Sequence, residues 1–335
     1  MLELKYPLFD GEKLWDGACV GVEGGVITSV RACDPVQCGE GFLMPGLIDA
    51  HTHMGTATQV QAMLQHGITA TCDVSASGEL VEESKQLEIV SSAGMAMGMV
   101  RNPKGFVDRA VENGAQYIKA LLFSPLSIGK GALSGIVKAA HEKGLKVAVH
   151  ATEVTTVRQA VEANVDILLH VPMKEPLPEE LAKTIAQKEI AVAPTLVMME
   201  TFANSGKNGY KPEHYQNAEN AVGLLRKHGV ATLCGTDANP GTFSPGVPYG
   251  SSLHREMELL EKAGLPPVEV LKAATIHNAE AFCIKAGKIV PRMPANMLLV
   301  HGRPDRYITD TTRIQQLWIH GKPIFKSNGT MSIAE

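Results

Sequence analysis

The sequence lacks several features that would each have indicated a particular class of protein. It has no segment of about 18 uninterrupted apolar residues, which is the length that a membrane-spanning helix needs, so no membrane span is expected. Its formal net charge is −4, so no broad basic face attracts a polyanion, and nucleic acid is not expected as a partner. The segment 1–10 carries charged residues and no apolar signal core, so an export signal is not expected either.

The cysteines are scattered, and no CxxC pair occurs among them. The chain has 335 residues, 44% hydrophobic and 20% charged, so it can bury a large core without disulfides. We therefore expect reduced thiols in a soluble, cytoplasmic protein. The cysteines are Cys19, Cys33, Cys38, Cys72, Cys234 and Cys283.

Short apolar strands alternate with amphipathic helices from Phe42 to about Cys283, and many of the helices end at a glycine. Eight strands alternating with helices over about 240 residues predict an α/β fold of the (β/α)8 TIM-barrel type. A doubly wound sheet would suit the same alternation, but no glycine-rich phosphate loop follows the first strand. The predicted strands are 42–51, 68–75, 95–101, 116–123, 146–152, 166–171, 191–197 and 231–236.

Both ends of the chain differ from this middle part, because their apolar runs are short and separated by turn residues, which is typical of strands joined by turns. Segments 1–44 and 286–335 are therefore expected to form one small β-sandwich domain beside a barrel of residues 45–285. The helices predicted within the barrel are 56–66, 78–92, 105–113, 132–143, 155–163, 178–188 and 214–228, followed by 251–263 and 267–281.

Metal-capable side chains stand at the ends of several predicted strands, which is where a (β/α)8 barrel carries its reactive groups. His51 and His53 close the first strand in an i, i+2 pair, so both imidazoles lie on one side of it and can chelate a cation such as zinc. A single histidine at a strand end is more often structural, but a joint set in the correct strand order predicts a metal site. The set also includes Lys119 in the fourth strand, His150 after the fifth, His170 after the sixth and Asp237 after the eighth.

The pattern resembles the amidohydrolase superfamily of metal-dependent hydrolases. The resemblance rests on Pro45-Gly-Leu-Ile-Asp-Ala-His-Thr-His53, on the lysine and histidines of the later strands, and on Gly235-Thr-Asp237. It extends over nearly the whole chain, and the segment Ala273-Ala-Thr-Ile-His-Asn-Ala279 resembles the imidazolonepropionase-related and prolidase-like dipeptidase branch. The motifs are specific for the superfamily and weak for the substrate.

The resemblance implies a centre of two zinc ions. His51, His53 and Asp237 would hold one ion, His150 and His170 the other, and a carboxylated Lys119 would bridge them together with a hydroxide. A lysine buried beside cations favours its neutral amine, which can form a carbamate. The hydroxide would attack a carbonyl, and Asp237 would pass its proton to the leaving nitrogen.

Other residues are candidates for substrate or proton handling. Glu153 follows His150 as in the His-x-x-Glu of related deaminases, where the glutamate transfers a proton, although it equally suits a helix N-terminus. His254, Thr195 and Tyr249 are candidate substrate contacts, and a surface histidine is nearly as good an interpretation of His254.

The sequence thus predicts a metal-dependent hydrolase that cleaves a C–N bond in an amide, cyclic amide or dipeptide-like compound. A mononuclear deaminase that uses Glu153 is the first alternative, and a non-catalytic scaffold of the same fold is the second. A small molecule is the expected partner. Because the strand-to-helix loops are brief, the pocket is expected to be open, or completed by a neighbouring copy in a homo-oligomer.

Overall fold

A computed structural model describes residues 2–74, 80, 84–123, 126–242 and 244–326. The strands within these ranges are β1 Leu2–Phe9, β2 Leu14–Glu23, β3 Val26–Ala32, β4 Phe42–Pro45, β5 Leu47–Thr52, β6 Ile68–Asp73, β7 Glu88–Ser91, β8 Met95–Ala96, β9 Ile118–Leu122, β10 Val147–Ala151, β11 Ile167–Leu169, β12 Ala191–Ala193, β13 Met297–Val300, β14 Ile314–Ile319 and β15 Lys322–Lys326.

The helices have the local signals that the sequence predicts. Asn102 caps one of them by accepting a hydrogen bond from the Gly105 N–H at 2.9 Å, and Pro103 occupies the first helical position. No helix within the described residues is long and apolar enough to cross a bilayer. The helices are α1 Ala57–Gln65, α2 Pro103–Glu112, α3 Lys130–His141, α4 Val154–Glu162, α5 Glu179–Gln187, α6 Leu196–Ser205, α7 Tyr215–Lys227, α8 Ser251–Lys262, α9 Pro267–Ala273 and α10 Ile276–Ala281.

The two ends of the chain pair in one seven-stranded sheet with the order β15-β14-β13-β4-β1-β2-β3. Strand β4 joins the two ends, since it runs parallel to β1 and antiparallel to β13. Buried side chains such as Leu8, Val20 and Trp318 form an apolar cluster of this part of the molecule. These segments therefore share a sheet, but the second sheet of a sandwich is not shown among the described strands, and the domain boundaries remain a prediction.

The middle of the chain forms two parallel sheets, β5-β6-β7 and β12-β11-β10-β9-β8. Segment 231–238 lies between β12 and β5, because Val192 bridges to Thr232 and Thr52 bridges to Ala238. At the opposite edges of the two sheets, the N–H of Gln116, just before β9, donates to the carbonyl of Ser91 in β7 at 2.8 Å. The fold is α/β with mixed sheets. The strand topology by itself does not establish a barrel, because the expected eighth strand forms only isolated bridges.

The predicted first strand is divided at Gly46, where the chain passes from the seven-stranded sheet to β5. A Cβ atom at this position would collide with the Thr69 side chain, so the crossing requires glycine. The prediction of one continuous strand was wrong for this tertiary reason.

Other boundaries also differ from the predictions. Residues 88–91 form strand β7 and residues 84–87 are not helical, where the sequence predicted the second half of a helix; of its first half, only residue 80 is described. The predicted strand 95–101 is reduced to β8. The predicted helix 267–281 is two helices, separated at Thr275. The sequence analysis missed α6 altogether.

Candidate metal centre

The first part of the centre lies where β5 meets the segment after Thr236. The Asp237 Oδ1 atom lies 3.2 Å from His51 Nε2 and 2.9 Å from His53 Nε2. Asp237 is fixed there because its backbone N–H donates to the His51 carbonyl at 2.8 Å. His51 is 2% exposed and His53 is 31% exposed, so the pair leads from the interior towards solvent.

The second part comes from the neighbouring parallel strands. His150 lies in β10 and His170 directly follows β11, and their ring centroids are 4.4 Å apart. The His170 ring lies 5.5 Å from the His51 ring, and ligand atoms of His51, His170 and Asp237 all lie within 4.8 Å of one another. The two parts therefore face each other across a few ångströms.

The centre contains several buried polar atoms that have no hydrogen-bond partner among the described residues. Such atoms are costly in a protein interior unless something binds them. Imidazole nitrogens and carboxylate oxygens are ligands that divalent zinc accepts, so this donor set fits a metal site. The four atoms are His51 Nδ1, Lys119 Nζ, His150 Nε2 and His170 Nε2.

The electrostatics favour neutral side chains that can act as ligands. Burial lowers the pKa of Lys119 to about 7. Burial, reinforced by the Lys119 charge, lowers the pKa of His150 to about 3. The pKa of His51 and that of His170 are also far below the ordinary value, mainly because both rings are fully buried. Neutral nitrogens keep the lone pair that a metal or CO2 requires.

Thr195 determines which nitrogen of His170 faces the centre. The Thr195 hydroxyl donates to the Pro194 carbonyl at 2.8 Å, so it must accept from His170 Nδ1, which lies 2.6 Å away. The proton is then on Nδ1, and Nε2 keeps its lone pair for the centre. Thr195 is fully buried and orients His170, and its contact with substrate stays a prediction.

Glu256 supports this arrangement from α8, a contact that the sequence analysis missed. Its carboxylate accepts from the backbone N–H groups of Leu196 at 2.9 Å and Val197 at 2.7 Å, at the start of α6. It is fully buried, and burial raises its pKa to about 8. Because α6 begins directly after Thr195, Glu256 also holds the turn that presents Thr195 to His170.

Asp49 is a second residue that the sequence analysis did not assign, although it lies within the His51 motif. It is fully buried and accepts from the backbone N–H groups of His51 and Thr236, and from the Thr236 hydroxyl. Burial raises its pKa to about 7 despite these donors. Asp49 thereby ties β5 to the segment that carries Asp237.

Three residues of the centre adopt a left-handed backbone conformation, which residues other than glycine rarely do. They are His170 with φ of 74°, Thr195 with φ of 50° and Asp237 with φ of 58°. Strain of this kind concentrates at functional sites, where surrounding contacts enforce it.

The remaining candidates are hydrogen-bonded to the scaffold around the ligand set. His254 is buried, with Nδ1 2.9 Å from the Thr311 hydroxyl and Nε2 3.0 Å from the His66 carbonyl. It therefore joins parts of the scaffold, and its role as a substrate contact stays a prediction. Tyr249 donates its hydroxyl to the His53 carbonyl at 2.5 Å, so it supports the loop after β5.

Glu153, the predicted proton carrier, is exposed and caps α4. Its backbone N–H and the Thr156 hydroxyl are 3.1 Å apart in the capping box. Glu153 lines neither of the two cavities that adjoin the centre, and its catalytic role stays a prediction.

Two cavities flank the centre. The first has a volume of about 490 Å3. It is lined by His53, by Gln59 in the first turn of α1, and by Asn239, Thr242 and Ser244 of the loop after Asp237. The second is much smaller, lies against His150, His170 and Asp237, and is mostly apolar. Both cavities therefore adjoin candidate ligands.

Comparison with known proteins shows where this fold recurs. The model of the Amidohydrolase family matches residues 42–324. No curated protein matches the sequence.

Three solved structures illustrate the structural similarity. A Xaa-Pro dipeptidase with methionine bound in its active site has a TM-score of 0.82 at 17% identity, covering 97% of this chain and 99% of that one. The A. niger ochratoxinase has a TM-score of 0.81 at 19% identity, covering 99% and 98%. A prolidase complexed with N-methylphosphonate-L-proline has a TM-score of 0.78 at 20% identity, covering 97% and 99%. These similarities establish a shared fold.

Proposed function

Because this chain belongs to the amidohydrolase family, hydrolases that act on carbon–nitrogen bonds, we propose that it hydrolyses an amide, cyclic amide or dipeptide-like bond at a centre of two zinc ions. The observation that carries the proposal is the approach of ligand atoms of His51, His170 and Asp237 to within 4.8 Å of one another. Buried polar atoms of Lys119, His150 and His170 that have no hydrogen-bond partner support it. The names of the similar structures, a dipeptidase, a prolidase and an ochratoxinase, agree with this reaction class.

We propose that the two parallel sheets and segment 231–238 close into a (β/α)8 barrel. The bridges from Val192 to Thr232 and from Thr52 to Ala238 support closure on one side, and the bond from Gln116 to Ser91 supports it on the other. Closure would explain why ligand-type residues from five different strands converge at one end. The remainder, residues 1–44 and 286–335, would be a separate small domain.

In this proposal, His51, His53 and Asp237 hold one ion, and His150 and His170 hold the other. Lys119 lies buried in β9 with a pKa of about 7, so a large share of it is neutral at physiological pH. Its neutral amine can add to CO2 and lose a proton, and the carbamate formed would bridge the two ions. Bound zinc would polarise the scissile carbonyl and lower the pKa of a water molecule to about 7.

The chain's own contribution to proton transfer is Asp237. Its carboxylate lies against His51 and His53 and also lines the apolar cavity, so it can reach both the attacking water and a leaving group. We propose that it accepts the proton from water and delivers it to the leaving nitrogen, which then departs as a neutral amine.

The deaminase alternative assigns this proton transfer to Glu153. That residue is exposed at the N-terminal cap of α4 and lines neither cavity, whereas Asp237 lies against His51 and His53. A non-catalytic scaffold would have no reason to keep unpartnered ligand atoms buried together, because they reduce stability.

The test is metal content and hydrolysis, measured on protein reconstituted with zinc. We expect about two zinc ions per chain by mass spectrometry, and hydrolysis within a panel of dipeptides, N-acyl amino acids, lactams, hydantoins and lactones. Lys119→Ala should lose about one ion and most of the activity, whereas the exposed Lys138→Ala serves as the matched control and should lose neither. Full activity in Lys119→Ala would refute the bridging role, and one ion with base deamination would favour the alternative.

A further inference from the structure

Two cysteines lie in contact at the edge of the seven-stranded sheet. Cys33 directly follows the edge strand β3, and Cys38 directly follows the short 3-10 helix Pro35–Gln37. Their Sγ atoms are 3.6 Å apart. Among the described residues, which include all six cysteines, no other two are in sulfur–sulfur contact. Neither Cys33 nor Cys38 lines a cavity at the metal centre, so the proposed reaction gives this pair no role.

The turn that joins the two cysteines is fixed by its own hydrogen bonds. The Asp34 carboxylate caps the turn by accepting from the Val36 N–H at 3.0 Å. The Cys38 N–H donates to the Pro35 carbonyl at 3.1 Å, and the Pro35 ring restricts the backbone at the first position of the turn. Because the turn is already ordered, joining its two ends costs little further conformational freedom.

Both ends of the turn are also bound to the sheet. The Cys33 N–H donates to the Gly17 carbonyl in β2 at 3.1 Å. The Gly39 N–H, directly after Cys38, donates to the Lys5 carbonyl in β1 at 2.9 Å. The turn packs closely on β2, since a Cβ atom at Gly17 would lie 2.7 Å from the Cys33 carbonyl oxygen and 3.1 Å from Cys38 Sγ. The contact between the two sulfur atoms therefore follows from the folded sheet.

The pair is accessible to small molecules and close enough to be joined. Both cysteines are half-buried, and the residues between them are exposed, with Val36 90% exposed. A disulfide bond is about 2.05 Å long, so its formation requires the two sulfur atoms to approach by about 1.5 Å. Burial and the neighbouring Cys33 thiol raise the pKa of Cys38. Since the thiolate is the nucleophile, Cys33 is expected to react first.

We propose that Cys33 and Cys38 form a reversible disulfide by exchange with a small-molecule disulfide, and that this bond stabilises the folded sheet. The Cys33 thiolate attacks one sulfur of glutathione disulfide, forms a mixed disulfide and releases one glutathione. The Cys38 thiolate, after losing its proton to solvent, attacks Cys33 Sγ and releases the second glutathione. Two protein thiols are thus oxidised while one external disulfide is reduced. The proposal does not depend on the proposed hydrolysis.

Exchange in glutathione buffers tests the proposal on metal-free protein. The Cys283→Ser background removes the other exposed cysteine. We expect a mass loss of about 2 Da, a peptide map that joins Cys33 to Cys38, and full reversal by dithiothreitol. Cys38→Ser should instead retain one glutathione on Cys33. The intact pair should retain glutathione in less than about 1% of the chains, because a thiol in contact outcompetes free glutathione.

The equilibrium constant of the exchange tests whether the fold holds the pair together. It should be at least about tenfold higher in folded than in urea-unfolded protein, because the unfolded chain must still close the loop. By linkage, the oxidised protein should then have a Tm about 2–4 °C above that of the reduced protein. Asp34→Ala removes the cap and should lower the folded constant by about 2- to 30-fold. Asp34→Asn is the matched control, because asparagine caps equally well and should leave the constant unchanged.

The outcomes are distinct. A bond between Cys33 and Cys38 with a higher constant in the folded protein supports the proposal. Equal constants in folded and unfolded protein would overturn it, and so would glutathione that persists on the intact pair. An equal loss in Asp34→Ala and Asp34→Asn would contradict the role of the turn. None of these measurements depends on bound zinc or on hydrolysis of an amide.

Discussion

Replacing Thr195 by valine should weaken metal binding at His170 without altering the shape of the site. Valine is isosteric with threonine and equally branched, so the left-handed backbone at this position carries the same strain in both proteins. What disappears is the acceptor for His170 Nδ1, at 2.6 Å in the structure. The ring proton can then move to Nε2, which removes the lone pair that faces the centre.

The magnitude follows from the loss of one buried partner. An unsatisfied buried polar group costs about 1–3 kcal/mol, and loss of a partner that orients a metal ligand typically lowers metal affinity about 10- to 100-fold. The two ranges agree, since about 1.4 kcal/mol corresponds to a factor of ten. Thr195→Val should therefore raise the Kd of the zinc ion that His170 would hold by about 10- to 100-fold.

The assay is a competition titration of metal-free protein with zinc against a chromogenic chelator. Thr195→Ser should restore wild-type affinity, because it restores the hydroxyl. Thr201→Val is the matched control, because the Thr201 hydroxyl is bonded to the Val197 carbonyl at 2.7 Å within α6 and does not contact the centre. Wild-type affinity in Thr195→Val, or an equal loss in Thr201→Val, would refute the tautomer argument.

Two predictions concern stability. In metal-free protein, the pKa of Asp49 is raised to about 7 from 3.8, so the folded state binds the proton more tightly than the unfolded state. The stability that this proton contributes is about 4 kcal/mol at about 1.4 kcal/mol per pKa unit; it is complete below pH 4 and is lost as the pH rises to 7. Urea unfolding at several pH values should show that the free energy of unfolding falls less between pH 4 and pH 7 in Asp49→Asn than in the wild type. An equal fall in both proteins would contradict this prediction. Gly46→Ala should lower the free energy of unfolding by about 1–3 kcal/mol through its collision with Thr69, with partial recovery in the double variant with Thr69→Ala. The control Gly129→Ala, where a Cβ meets open space, should be close to wild type, and equal losses would refute the collision.

Much of the fold was predictable because its signals are local. Alternating apolar strands and amphipathic helices, with glycine at helix ends, placed most parallel strands and helices within a few residues of their observed bounds. Helix α6 was missed because Leu196-Val-Met-Met199 is an apolar run that suits a buried strand equally well. The carboxylate that caps this helix belongs to Glu256, about 60 residues later in the chain.

In the metal centre too, some features follow from the local sequence and others only from the tertiary structure. The chain order of His51, His53, Lys119, His150, His170 and Asp237 was enough to assign them to one site, because consecutive parallel strands bring their carboxyl ends to one face. By contrast, nothing in the local sequence distinguishes Thr195 or His254 from a substrate contact. Both are polar side chains, and only their hydrogen-bond partners in the structure show what they contact.

The sequence by itself indicated the candidate ligands, their strand order and hence the family, since those depend on short motifs and on periodicity. Only the tertiary structure decided which nitrogen of His170 faces the centre, that Asp49 ties β5 to the segment carrying Asp237, and that a mostly apolar cavity adjoins His150 and His170. The physical reason is that tautomers, buried carboxylates and cavity walls are set by contacts between residues far apart in the chain, which no local pattern encodes.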